Sequence, residues 1–176
     1  NDLAGYYLRA RPFSELGEYI CWVRNRSQPD RNGFNWAENY RKIHKAIDAD
    51  LCALGKMNAR QQLDRIFALI NAAAPQMYDR EYIYCGFVSV ILYEALGKLG
   101  YKKLDVYAMR LLFRRDGVPE HVFVVKENNS ESKKEYIDFG VPFFFELEPR
   151  IWELLVLSNH NAGKQSGSPL GLDIAG

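Results

Sequence analysis

"YIYCGFVSVILYEALGKLG", residues 82–100, is the stretch whose reading decides the fold. Phe87, Val88, Val90, Ile91, Leu92, Ala95, Leu96 and Leu99 cover most of a helix's circumference. A helix coated nearly all round belongs at the centre of a domain, not on its surface. Gly100, directly after Leu99, is the expected stop. Glu94 and Lys98 interrupt the run, and no apolar stretch reaches the roughly 18 residues of a membrane span. At the head of this helix stands Cys85. A small thiol is commonly buried, so packing is its default role. The first turn of a helix, however, offers unpaired N–H groups and a positive dipole end, which favour the thiolate. The rest of the chain has to decide between the two.

Upstream, residues 1–35 read as irregular, with one apolar patch, "LGEYICWV" (16–23), and a turn-rich loop, "RNRSQPDRNG" (24–33). "NWAENYRKIHKAIDADLCAL" (35–54) carries Trp36, Tyr40, Ile43, Ile47 and Leu51 at helical spacing, with Asn35 as its cap. His44 lies on or beside that stripe as a partly buried histidine, and Cys52 closes the helix as a packing residue. A second helix is predicted in "NARQQLDRIFALINAAAP" (58–75), capped by Asn58, with Leu63, Ile66, Phe67 and Ile70 facing inward and Pro75 at the stop.

Downstream of Gly100 the period changes. "LDVYAMRLLF" (104–113) and "HVFVVKE" (121–127) are rich in β-branched and aromatic residues and flank the turn "RRDGVPE". "EYIDFG" (135–140) is a third short strand. "FFFELEPRIWELLVL" (143–157) predicts an edge segment and a C-terminal helix, with Pro149 in its first turn. Helices, then a central cysteine-headed helix, then an antiparallel sheet make an α+β plan. A single catalytic domain over 1–160, with its core at 76–157, and a flexible tail at 161–176 are expected. His160 falls at the edge of that tail and is given no role.

The 176 residues are 48% hydrophobic and 26% charged, the balance of a globular chain with a real core. A net charge of +1, well mixed, gives no field for nucleic acid or anionic membrane. The three cysteines (Cys21, Cys52, Cys85) and three histidines (His44, His121, His160) are scattered without metal-ligand or disulfide spacing. No glycine-rich phosphate loop, HExxH, CxxC or GxSxG occurs, so neither metal nor cofactor is expected. The first residue is Asn1 rather than methionine, as in a processed fragment.

A nucleophilic thiol needs a base and a group that fixes the base's tautomer. His121 opens "HVFVV" and shares a strand face with Phe123 and Val125; Asp138 shares one with Tyr136. A hairpin turn centred between Asn129 and Ser130 would set His121 opposite Asp138. The pair could simply be a structural hydrogen bond. A carboxylate between Ile137 and Phe139 nevertheless demands a partner, and His121 is the natural one. Gly86 would let a substrate carbonyl approach the backbone, and Tyr82, Tyr84 or Phe87 would line a groove.

These residues resemble the core of transglutaminase-like enzymes in the papain-like group. That family reads Cys-x-x-x-(Ser/Ala) into a leucine-rich helix, then His-(Ala/Val)-(Trp/Phe)-Val, then a hydrophobic residue and Asp. Ser89, Leu96 and Gly100 fit the helix, His121–Val124 the second block, and Ile137-Asp138 the third. The gaps of 36 and 17 residues are similar as well. Tyr84 departs from the small residue or tryptophan common before the cysteine. The Arg-Gly-Gly stretch of arylamine acetyltransferases and the Asp-Cys-Glu-Asp of calcium-dependent relatives are both missing, so the resemblance implies no calcium.

The resemblance implies a Cys85–His121–Asp138 triad that attacks a carboxamide through a thioester. Deamidation or transamidation of a protein glutamine is the expected reaction. A cysteine protease and a non-catalytic interaction domain are the alternatives. The second oxyanion donor is sought at Gln76 or near Asn35-Trp36. A protein substrate and a reducing, cytosol-like compartment are expected, as for a bacterial effector or toxin delivered into another cell.

Overall fold

The computed structural model describes residues 10–75, 84–109, 121–128, 133–139 and 156–159. The fold is α+β, with helices packed against an antiparallel sheet. The helices are α1 (Leu16–Asn25), α2 (Trp36–Leu54), α3 (Ala59–Ala73) and α4 (Cys85–Lys98). The strands are β1 (Arg11–Pro12), β2 (Leu104–Met109), β3 (His121–Asn128), β4 (Lys133–Ile137) and β5 (Val156–Asn159). They lie in the order β1-β2-β3-β4-β5, each antiparallel to its neighbour.

Helix α4 is central. It packs on β2 and β3 and also contacts α2 and α3, so its apolar coat is covered on several sides. Phe87, Val90, Ile91, Leu92 and Ala95 are fully buried. Below them, Val106 and Ala108 of β2, Val122 and Val124 of β3, and Ile137 of β4 form the apolar face of the sheet. The helix stops where the sequence says it should. Gly100 adopts φ +95°, and the N–H of Tyr101 returns to the Leu96 carbonyl at 3.2 Å.

Local chemistry also sets the other helix starts. The Asn35 side chain accepts from the Glu38 N–H, and Asn58 with Gln61 forms a reciprocal capping box. Ile43 and Ile47 of α2 meet Leu63, Ile66 and Ile70 of α3 in the same buried cluster.

Three expectations are corrected. Residues 16–25 form a helix rather than an irregular patch, because Leu16, Ile20 and Val23 recur at helical spacing and Val23 is fully buried. Cys52 is exposed and not a packing residue. Val156–Asn159 is a strand paired with β4, where the predicted C-terminal helix ran to Leu157. The rest of that helix, the turn at 114–120 and the tail at 161–176 lie outside the described residues.

Candidate active site

His121 is the first residue of β3, and Asp138 directly follows the last residue of β4. The hairpin register pairs Val124 with Ile137 and Lys126 with Glu135. Extended to the strand ends, this register is two residues off the pairing expected of His121 and Asp138. That shift makes His121 diagonal to Asp138 instead of directly opposite. A diagonal neighbour is still within reach of a long side chain. The His121 Nε2 and Asp138 Oδ2 atoms are 2.5 Å apart, with the imidazole 4% and the carboxylate 0% exposed. In neutral imidazole, an Nε2–H donated to Asp138 leaves Nδ1 as the basic nitrogen.

Cys85 comes to this pair through its helix. Ser89 lies one turn along α4, on the same side as Cys85. Its hydroxyl donates to the Val122 carbonyl at 3.0 Å, tying the first turns of α4 to the residue next to His121. The electrostatics of the imidazole report the same proximity. Burial alone would push the His121 pKa down, but the Asp138 carboxylate and a hydrogen bond to it, with further support from the Cys85 thiol, raise it to about 10. Asp138 and Cys85 thus act on one ring, that of His121, and the thiol is half-buried, not sealed in the core.

The start of α4 is held from its other side by Asp30. Its Oδ1 accepts from the N–H groups of Asn32 and Phe34 at 2.8 and 3.0 Å, which shapes the loop before α2. Its Oδ2 accepts from the Tyr84 hydroxyl at 2.9 Å and the Trp36 indole N–H at 3.2 Å. Burial would raise the Asp30 pKa, yet these four donors together lower it. Phe34, Trp36, Tyr84 and Phe87 pack edge-on or tilted around this anchor. The residue before Cys85 is therefore fixed to a loop far upstream.

This arrangement corrects several expectations. Trp36 gives its indole N–H to Asp30, while the Asn35 amide accepts from the Glu38 N–H and donates to the Ser27 carbonyl. Tyr84 is 8% exposed and Phe87 is 0% exposed; both belong to the core and line no groove. Gln76 and Tyr82 lie outside the described residues. His44 is buried between the Tyr40 ring, Glu94 and Lys98, in a network that joins α2 to α4 away from Cys85.

One neighbour of the thiol escaped the sequence reading. Tyr19 of α1 brings its hydroxyl against Gly86, where a Cβ would sit 2.0 Å from the oxygen. The space expected to admit a substrate is already taken by this phenol. Burial raises the Tyr19 pKa, and the charge of Cys85 raises it further, which places the two side chains within electrostatic reach. The available signal was the helical period of 16–25, which carries Tyr19 toward the core.

Among the described residues, no three His, Cys, Asp or Glu side chains converge as a metal site, and no helix is long and apolar enough to cross a membrane. No protein-family model, curated protein or solved structure matches the chain.

Proposed function

We propose that this chain is a cysteine amidohydrolase or acyltransferase of the transglutaminase-like kind, built on a papain-like core. The observation that carries the reading is the convergence of Asp138 and Cys85 on the His121 imidazole at the first turn of a buried helix. The Cys85 thiolate attacks a carbonyl carbon, and the C=O electron pair moves onto oxygen. His121, held as imidazolium by Asp138, protonates the departing amine as the C–N bond breaks. The same imidazole then takes a proton from the incoming acceptor. Asp138 keeps the ring oriented and balances its charge.

The substrate is proposed to be the carboxamide of a protein glutamine, with water giving deamidation and an amine giving transamidation. A reducing compartment fits three free cysteines, of which Cys21 and Cys52 are exposed. Delivery from a bacterium into another cell remains the proposed setting.

Iodoacetamide labelling at neutral pH tests the chemistry. Cys21 and Cys52 are more exposed than Cys85 and serve as internal controls. Cys85 is expected to react faster than both, and His121→Ala to remove that advantage. Equal or slower labelling of Cys85 overturns the enzyme reading and favours a non-catalytic interaction domain. Mass spectrometry of treated proteins then sorts the activities: glutamine converted to glutamate or cross-linked supports the reading, whereas new chain termini indicate proteolysis.

A further inference from the structure

The acyl-transfer reading above leaves one chemical requirement open. When a thiolate adds to a carbonyl, the negative charge on oxygen needs preorganised donors. The first-turn N–H groups of α4 have no partner within the helix, and that of Cys85 supplies one donor. The Trp36 indole N–H is held by Asp30, and the Asn35 amide is bonded to Glu38 and Ser27.

We propose that the Tyr19 hydroxyl is the second oxyanion donor of this site. It sits over the α-carbon of Gly86, next to the nucleophile and on the helix end where the oxyanion would form. Its ring is held edge-on against Phe13, with centroids 5.4 Å apart, and tilted against Trp22 at 5.6 Å. Among the described residues, no hydrogen bond uses the hydroxyl. Gly86 then has a definite purpose, since any side chain there would displace the phenol. The raised pKa of Tyr19 keeps the group protonated, and so a donor, throughout the neutral range. In the reaction the Sγ–C bond forms, the carbonyl π pair becomes the oxyanion, and Tyr19 donates a hydrogen bond without giving up its proton.

Two reactions of the same thiol isolate this role. Acylation by 4-nitrophenyl acetate passes through an oxyanion; it forms a thioester on Cys85 and releases 4-nitrophenolate. Alkylation by iodoacetamide displaces iodide and forms no oxyanion. Tyr19→Phe keeps the ring and its packing, and is expected to slow Cys85 acylation by about 10²–10³-fold. It should leave the alkylation rate and its pH profile unchanged. Gly86→Ala, which moves the hydroxyl without removing it, should produce a comparable loss of acylation.

Unchanged acylation in either variant overturns the assignment while leaving the acyl-transfer reading intact. A shifted alkylation pH profile in Tyr19→Phe also overturns it, because the phenol would then be acting on the thiolate. Wild-type protein that alkylates Cys85 rapidly but never acylates it defeats the acyl-transfer reading, and the Tyr19 role with it.

Discussion

The Ser89 hydroxyl donates to the Val122 carbonyl at 3.0 Å, so the helix that begins with Cys85 is bonded to the strand that begins with His121. Both partners are buried. Ser89→Ala leaves a buried acceptor without this donor and is expected to cost about 1–3 kcal/mol in urea unfolding. Thiol and imidazole should also lose their fixed spacing, so the rate of Cys85 alkylation falls even at temperatures where the variant is folded.

The His121–Asp138 pair makes stability depend on pH in a definite direction. The folded-state pKa of His121, about 10, lies above its ordinary 6.5. Its contribution is therefore fully present below about pH 6.5 and is lost as pH rises toward 10. Thermal melts of wild type and His121→Gln across this range should converge as the pH rises. A gap that stays constant between pH 6.5 and 10 would show instead that the imidazole is neutral in the folded protein.

Asp138→Asn keeps the shape of the side chain and removes its charge. Burial then pushes the His121 pKa down with nothing comparable to offset it. The ring is expected to be neutral at pH 7, which ¹⁵N chemical shifts of the imidazole would report directly. Asp138→Ala, which strips a buried partner from the imidazolium, should cost about 3–5 kcal/mol.

Asp30→Asn separates loop shape from helix anchoring. The amide oxygen can still accept from Asn32 and Phe34, but the amide nitrogen cannot accept from Tyr84 and Trp36. A loss of about 2 kcal/mol is expected, together with faster hydrogen exchange in the first turn of α4. Full protection there would mean that the aromatic packing alone holds Tyr84.

Leu96 is 1% exposed in the last turn of α4, and Leu96→Ala should destabilise by about 2–5 kcal/mol whatever the chain does. This variant calibrates the others, since it weakens the fold without touching the thiol.

What the sequence made legible was local. Asn35, Asn58 and Gly100 act within a few residues of themselves, and each does in the fold what its chemistry predicts. His121 and Asp138 stood out because a histidine and a carboxylate in apolar strands need each other. The exact register did not, since the polar connection from Glu127 to Lys134 carries no residue that pins a single turn. Tyr19 was hidden for a different reason. An aromatic residue in an apolar patch looks like any other core residue until the fold places its hydroxyl against Gly86. Trp36 and Asn35 looked like free donors because hydrogen-bond partners across a loop leave no mark on spacing.

The Asp30–Tyr84 bond spans 54 residues, and His121 and Asp138 follow Cys85 by 36 and 53 residues. At about 5–20 residues per second of synthesis, the chain therefore displays its cysteine for seconds before both His121 and Asp138 exist. During that interval Asp30 and Tyr84 are already made, but the thiol has no completed imidazole–carboxylate pair beside it. On the proposed reading, the thiol gains its base and the base its orienter only once β3 and β4 have paired.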